Sequence, residues 1–374
     1  MPLVTVLAAF FLTNFLVLYL APRFIDFIGF FPYRNYLMDF GLPGFISSLA
    51  NFDGIHYLLI SQRSYAQYEQ SFFPLYPLII RFLSRALNSN PLVTAIIFSN
   101  LALILSVYLT YRLLKLIKIQ NAFLSIIFLL LFPTSFYFSA VYTESLFLLL
   151  FISSLLFFYS KKPLLAASFA LLSSLTRVNG VFLAIPFLLD YLFSQKKSLK
   201  QLVLILSPFI GLSLYCLYLY HSTGDPINFV NSIPVYGRQT TPTIFPQVIY
   251  RYIKILLFAA RNFQYWIALF ELITFISFAA VLTLQLYRLL SPGINKLKNK
   301  LPLLSLNLIS IATLILPTLT GTFSSLPRYV LMSLSFFIFL SEINSRYLKI
   351  ALFIIFFVFH VLGLAFFAQG YFIS

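Results

Sequence analysis

The sequence predicts an all-α, polytopic membrane protein, and three observations carry that prediction. Mean hydropathy is +0.95, with 61% of residues hydrophobic and only 9% charged. The apolar residues fall in continuous runs, mostly about 16–22 residues long, close to the ~20 that a helix needs to cross a bilayer. Those runs do not alternate apolar with polar as barrel strands would, and a backbone in lipid must pair its own polar groups, so the runs read as helices.

Leu3 to Ala21 comes first. It has no basic segment ahead of it and no small-residue cleavage site, so it reads as a retained helix and not as a removed signal. Residues 22–90 follow as one long connection, and then come apolar runs at 91–111, 121–138, 144–160, 163–176, 178–194 and 201–220. A second long connection, 221–262, precedes runs at 263–287, 301–319, 327–344 and 348–368, for about eleven expected spans. The positive residues sit between runs in small groups: Arg112/Lys115/Lys118, Lys161/Lys162, Lys196/Lys197/Lys200, Arg288/Lys296/Lys298/Lys300 and Arg346/Lys349. The positive-inside rule makes these groups cytoplasmic, which puts the amino terminus inside, the carboxyl terminus outside and residues 22–90 on the extracytoplasmic face.

Composition excludes several classes. The net charge of +16 is accounted for by orientation signals, so nucleic acid is not an expected partner and the lipid bilayer is. Cys216 is the only cysteine, which rules out an internal disulfide and a thiolate metal site. His56, His221 and His360 are far apart, no Walker loop or GxGxxG occurs, and a tightly held transition metal or nucleotide cofactor is not expected. No cofactor is required on this reading, although Asp53 and Glu69 leave room for a weakly bound divalent cation. No Asn-x-Ser/Thr sequon occurs, which favours a prokaryotic cytoplasmic membrane over the endoplasmic reticulum.

The charges are segregated by type. Lys254 is the one lysine outside the cytoplasmic groups, whereas Arg23, Arg34, Arg63, Arg81, Arg85, Arg177, Arg238, Arg251, Arg261 and Arg328 all fall on or near the outer side. Arginine snorkels at helix ends, so anchoring explains part of this. Its planar fork also binds phosphate in two places, where lysine offers a point charge.

The first outer connection concentrates ionisable groups in Asn51-Phe-Asp-Gly-Ile-His-Tyr57, Arg63, Glu69 and Phe72-Phe-Pro-Leu-Tyr-Pro77. Asp53 reads either as a turn or N-cap residue before Gly54 or as a general base able to take a proton from an alcohol. His56 lies on the same face if the segment is helical. Arg81 and Arg85 stand one helical turn apart over an apolar body, as in an interfacial helix. Glu144 opens the fourth run and suits a helix N-terminus, with Tyr142 beside it in an aromatic belt. Between Lys162 and Lys196 the chain must go out and return in arms of roughly 16 residues, about 24 Å each, against a hydrocarbon core of ~30 Å. Arg177 and Asn179 at that turn are therefore expected below the surface, where an arginine costs on the order of 3 kcal/mol unless it faces a partner or a polar recess. Glu271, inside another run, is a candidate partner.

Phe52-Asp-Gly-Ile-His-Tyr57 with Tyr65, Glu69 and Phe72-Phe-Pro-Leu-Tyr-Pro77 resembles the first motif of the phosphatidylinositol-glycan class V family, the second mannosyltransferase of GPI-anchor synthesis and its prokaryotic relatives. Ser139-Ala-Val-Tyr-Thr-Glu-Ser-Leu-Phe147 and Thr176-Arg-Val-Asn-Gly180 are similar to its next blocks in the same order, and Pro327-Arg-Tyr329 to a late motif of such enzymes. Phe52 stands where tryptophan is common and Ser64 where glycine is usual. The resemblance implies a glycosyltransferase of the C superclass, with a catalytic module over 1–220 and a variable module over 221–374 in one integrated unit.

It further implies a polyprenyl- or dolichyl-phosphate sugar donor, a glycolipid or other extracytoplasmic acceptor, and Asp53 as catalytic base of an inverting transfer. Glu144 and His56 are then expected to orient the acceptor or hold Asp53. Arg177, Arg328, Arg63 and Arg81 are expected toward phosphate, with Asn179, Tyr329, Glu69 and Tyr142 lining the substrate site. A transporter or flippase of lipid-linked sugars is the rival class; it predicts repeated halves and broken helices meeting at midplane, and no repeat is visible.

Overall fold

The computed structural model describes residues 2–28, 33–195, 197–291 and 298–373, so Lys196 and Lys296 of the basic groups lie outside the described residues. Every regular element among those residues is helical. In chain order they are α1 (Pro2–Phe24), α2 (Arg34–Met38), α3 (Gly44–Ser47), α4 (Asp53–Arg63), α5 (Leu75–Ala86), α6 (Pro91–Leu116), α7 (Ala122–Leu131), α8 (Glu144–Tyr159) and α9 (Pro163–Ser174). They continue as α10 (Ala184–Phe193), α11 (Leu199–Thr223), α12 (Asn228–Asn231), α13 (Phe245–Phe258), α14 (Phe263–Leu290), α15 (Leu301–Thr318), α16 (Leu326–Tyr329), α17 (Leu334–Glu342) and α18 (Arg346–Ala368).

Among the described residues, six of these helices, α1, α6, α11, α14, α15 and α18, are long and apolar enough to cross a membrane. The other expected runs are helical but shorter or interrupted. The run expected at 121–138 stops at Leu131 because Phe132 precedes Pro133 and is extended (ψ 140°), after which Ser135–Phe138 form a 3₁₀ turn. The run at 178–194 begins as a 3₁₀ segment, Val178–Leu183, and that at 327–344 breaks into α16, a 3₁₀ turn and α17. All three irregular stretches sit at the end of the bundle that holds the charged residues described below. Irregular backbone inside an apolar assembly is tolerated where protein or a polar cavity satisfies it.

α8 forms the middle of the bundle. It is buried on all sides, packs on α6 and α9, and its Ser154 hydroxyl donates to the Ala166 carbonyl at 2.8 Å. α9 offers small side chains there, Ala166, Ala167, Ala170, Ser173 and Ser174. Between apolar helices in lipid, dispersion and close backbone approach hold the contact, since burial from water supplies nothing. α11 closes on α9 in the same way, with Gly211 against the Leu171 backbone, where a Cβ would collide with the carbonyl.

Distant parts of the chain pair directly. α1 packs on α18, α7 on α17 and α10 on α15. Buried His360 of α18 joins Asn14 of α1 (Nε2 to Oδ1, 2.7 Å) and Ser135 (Nδ1 to Oγ, 3.0 Å), so polar pairing ties the two outer helices to the α7–α8 connection. The outward faces of α1 and α18 are apolar, with Leu12, Phe15, Ile354 and Phe359 among the exposed side chains, as a lipid-facing surface requires.

The first long connection is folded. α2 to α5 build a second apolar cluster around Ile55, Leu58, Tyr76 and Ile80, seated on Leu92 and Ala95 of α6 and on Leu146 and Leu150 of α8. α5 is amphipathic, with Tyr76 and Ile80 inward and Leu78 and Phe82 outward.

Candidate functional site

Four charged side chains from four separate segments meet at one end of α8. Arg328 Nη1 donates to Asp53 Oδ2 at 2.6 Å, and its Nε lies 3.4 Å from Glu144 Oε1. Arg177 Nη1 donates to the same Glu144 oxygen and reaches Thr143 Oγ1 at 3.3 Å. The Arg177 partner is thus Glu144, not Glu271, whose carboxylate accepts from the Tyr252 hydroxyl.

Each member is delivered by local sequence. Asp53 and Glu144 are the first residues of α4 and α8, where the helix dipole favours a carboxylate. Neither makes a side-chain cap bond: the caps are Phe52 and Thr143, and both carboxylates turn to arginine instead. Phe52 is held at φ 57°, ψ −117°, a conformation costly for a residue with a side chain. The surroundings impose it. Asn51 donates to the Phe367 carbonyl at 2.9 Å, Tyr142 donates to the Asn51 carbonyl at 2.7 Å, and the Phe52 ring packs between Phe367 and Phe372. Gly54 lets the first turn of α4 lie against the 140–142 strip, since a Cβ there would sit 3.2 Å from the Val141 carbonyl oxygen.

Arg177 follows α9 in an extended conformation, and Gly180 makes that turn feasible. A Cβ on Gly180 would fall 2.6 Å from the Ser173 carbonyl carbon and closer still to the Ser174 nitrogen. Arg328 sits in the single turn of α16, after Ser325 at φ 62°, and the Pro327 carbonyl is held by the Thr134 hydroxyl at 2.7 Å. α9, which leads into the 177–180 turn, is twelve residues long and therefore only ~18 Å.

Aromatic rings enclose the guanidiniums. Arg328 lies over Tyr137 and Tyr142, both at 5.3 Å, and Arg177 over Tyr329 at 4.8 Å. Glu144 and Arg328 are almost wholly enclosed, with side chains 1% and 10% exposed, whereas Asp53 is 23% exposed and is the open edge of the cluster. Burial pushes the Asp53 carboxyl up, but the adjacent Arg328 outweighs it, and the group is held below the usual carboxylate range. Among the described residues, the buried polar atoms without a protein hydrogen-bond partner include Glu144 Oε2, Arg328 Nε, Asn179 Oδ1 and the Ser173, Ser174 and Ser333 hydroxyls on these segments, and Tyr159 Oη and Asn307 Oδ1 elsewhere in the bundle.

A second group lies beside the first. Glu69 accepts from Arg63 (2.8 and 2.9 Å) and from the Ala66 amide (2.8 Å), with His56 Nδ1 at 3.1 Å. The His56 ring is stacked on Phe72 (4.9 Å) and edged by Tyr33 and Tyr236. An ionised Glu69 favours a proton on the His56 nitrogen that faces it. Asp53 and Glu69 thus belong to different groups, and no cluster of three or more metal-ligating side chains occurs among the described residues.

Burial alone would raise the Glu69 carboxyl; hydrogen bonds from His56, Arg63 and Ala66 overcome it and bring it from 4.5 to about 2. The folded form is the stronger acid, so the stabilisation is complete above about 4.5 and fades as pH falls toward about 2. Glu69→Gln should therefore lower the unfolding temperature at pH 7, and the gap to wild type should narrow steadily below pH ~4.5. A gap independent of pH from 7 to 3 would show that charge at Glu69 contributes nothing.

The expected residues divide by position. Asp53, Glu144, Arg177, Arg328, Tyr142 and Tyr329 share the central cluster, with Asn179 on the Arg177 turn. His56, Arg63 and Glu69 form the flanking group. Arg81 goes elsewhere: its guanidinium caps the carbonyl end of α4, donating to the Ser61 carbonyl at 2.6 Å and to Ser64 Oγ at 3.0 Å. Tyr137, Tyr236 and Arg238 are members that motif reading passes over. Only the surplus of outer arginines pointed to Arg238, because the 221–262 connection has no recognisable pattern around it.

No known protein family matches this chain, and no curated protein is significantly similar to it. What the site does has to be read from its own chemistry.

Proposed function

We propose that this protein is an integral membrane glycosyltransferase of the C superclass, with about eleven spans and its charged cluster on the extracytoplasmic side. It moves a sugar, mannose in the leading reading, from a polyprenyl- or dolichyl-phosphate donor to a glycolipid or related hydroxyl acceptor. The observation that carries the proposal is the Asp53 carboxylate, partly open, ion-paired to Arg328 at 2.6 Å, and backed by Glu144 and Arg177. One carboxylate stands ready to take a proton beside arginines able to receive a phosphate, which is the equipment an inverting displacement from a sugar phosphate needs.

In that reaction the acceptor oxygen attacks the anomeric carbon and its proton passes to Asp53. The bond from carbon to phosphate oxygen breaks on the opposite face, and its electron pair leaves with the lipid phosphate. Arg328 has a double use here. While it pairs with Asp53 the carboxylate is a weak base; a phosphate that competes for the guanidinium lets the proton affinity of Asp53 rise, since burial already pushes it upward. Base strength is thereby tied to donor occupancy.

The experiment is turnover by purified protein in nanodiscs, supplied with polyprenyl-phosphate mannose and a panel of glycolipid acceptors. The expected result is a mannosylated lipid of inverted anomeric configuration. Movement of the intact donor across a proteoliposome bilayer, with no glycosidic product from any acceptor, would replace this reading with that of a flippase.

A further inference from the structure

Arg238, on the connection between α12 and α13, is the third guanidinium around Tyr329. Its Cζ lies 5.8 Å from that ring, with Arg177 at 4.8 Å and Arg328 at 5.9 Å. The other two are committed to carboxylates, Arg177 to Glu144 and Arg328 to both Asp53 and Glu144. Among the described residues no carboxylate lies within ion-pair distance of Arg238, which hydrogen-bonds to the Ser324 carbonyl at 2.8 Å and to the Tyr329 side chain. The neighbouring Arg63 and Glu69 cancel each other. Three guanidiniums thus face two carboxylates, and the excess is one positive charge in surroundings that screen it poorly.

The segment carrying Arg238 is tied down on both sides. Tyr236 donates to the Tyr68 carbonyl at 3.0 Å and sets its ring on Phe72, Gly237 turns the chain at φ 75°, and the Gln239 amide donates to the Thr320 carbonyl at 3.0 Å. This strap crosses from the α4–α5 side to the stretch just before Arg328, so Arg238 sits half-buried over the cluster. An apolar groove of about 730 Å³ between α13 and α14 is lined by Phe245, Ile249, Phe275, Ala279 and Leu284. Phe275 stacks on Phe323 at 4.6 Å, and the next residue, Ser324, holds Arg238.

We infer that Arg238 binds the phosphate of a singly charged lipid phosphodiester whose apolar chain lies in the α13–α14 groove. One excess positive charge matches one phosphodiester, the arginine fork grips two phosphate oxygens, and the Phe323–Ser324 step joins charge to groove. The inference rests on the transferase reading above and names which residues take the donor.

Binding separates the two. Full-length protein in maltoside detergent, free of phospholipid, is titrated with farnesyl methyl phosphate (a singly charged phosphodiester), farnesol and dimethyl phosphate. Wild type and Asp53→Asn should both prefer farnesyl methyl phosphate to farnesol by about tenfold or more. Arg238→Ala should lose that preference while binding farnesol unchanged, Arg238→Lys should recover part of it, and Ala279→Trp should weaken both farnesyl ligands alike. Unfolding temperatures near that of wild type establish that the variants are folded. Equal farnesyl methyl phosphate affinity in Arg238→Ala and wild type overturns the role of Arg238 and leaves the transferase reading to the turnover assay. Dimethyl phosphate as tight as farnesyl methyl phosphate overturns the groove, and no preference for farnesyl methyl phosphate over farnesol in wild type overturns the lipid-phosphate ligand altogether.

Discussion

Asp53→Asn is expected to reduce sugar transfer by about 10²–10⁴-fold, the range that a positioned general base contributes, while the protein stays folded. Asparagine keeps the shape of the side chain but cannot take the acceptor proton. Arg328 is not abandoned by the change, because Glu144 remains 3.4 Å from its Nε. Donor binding should hold or strengthen, since one of the two carboxylates competing for Arg328 has gone. The separation is the informative part: a collapse of the turnover rate with donor affinity retained marks a proton acceptor, whereas equal loss of both marks a binding or folding role. Initial rates with labelled polyprenyl-phosphate mannose, together with the donor titration, read both quantities. Rates for Asp53→Asn within a factor of two or three of wild type, across all acceptors used by wild type, would remove Asp53 from the chemistry.

Glu144→Gln should be the most destabilising single change at the site, at about 3–5 kcal/mol, because it leaves a buried cation without its counter-charge. The Glu144 side chain is 1% exposed and receives both Arg177 and Arg328. Arg328 keeps Asp53, but among the described residues Arg177 has no second carboxylate. The double variant Glu144→Gln/Arg177→Gln should regain much of the loss, since removing a buried pair together costs far less than breaking it. Thermal unfolding in detergent of the two single variants and the double supplies the cycle. Additive losses would mean that the two side chains do not depend on each other, and the close Arg177–Glu144 contact would then carry no coupling.

Much of the architecture was legible in the chain because the solvent is lipid. Continuous apolar runs have to be helices: each expected run contains helix, and among the described residues six helices are long and apolar enough to cross a membrane. Legibility failed at helix breaks. The ends at Phe132, at 178–183 and at Ser333 depend on Pro133, on the 3₁₀ segment after Arg177 and on the turn after α16. Local hydropathy is blind to all of these. Arg81 shows the same limit: an arginine at helical spacing reads as a phosphate ligand or an anchor, and only the fold puts the carbonyl end of α4 in front of it.

The site divides in the same manner. From the sequence alone came the concentration of ionisable groups around Asp53, the arginine surplus, and the expectation that Arg177 turns back on short arms. A chain with 9% charged residues advertises its exceptions. Who pairs with whom was decided only in three dimensions. Asp53 and Arg328 lie 275 positions apart and Arg177 and Glu144 lie 33 apart, and no local pattern encodes such separations. Their meeting follows from packing: α8 is enclosed by its neighbours, the Phe52 turn is clamped by Asn51, Tyr142 and Phe367, and Thr134 draws the Pro327 carbonyl against the same end of the bundle. Once these charges are brought out of water, Coulomb attraction leaves each few acceptable partners, and the fold selects among them.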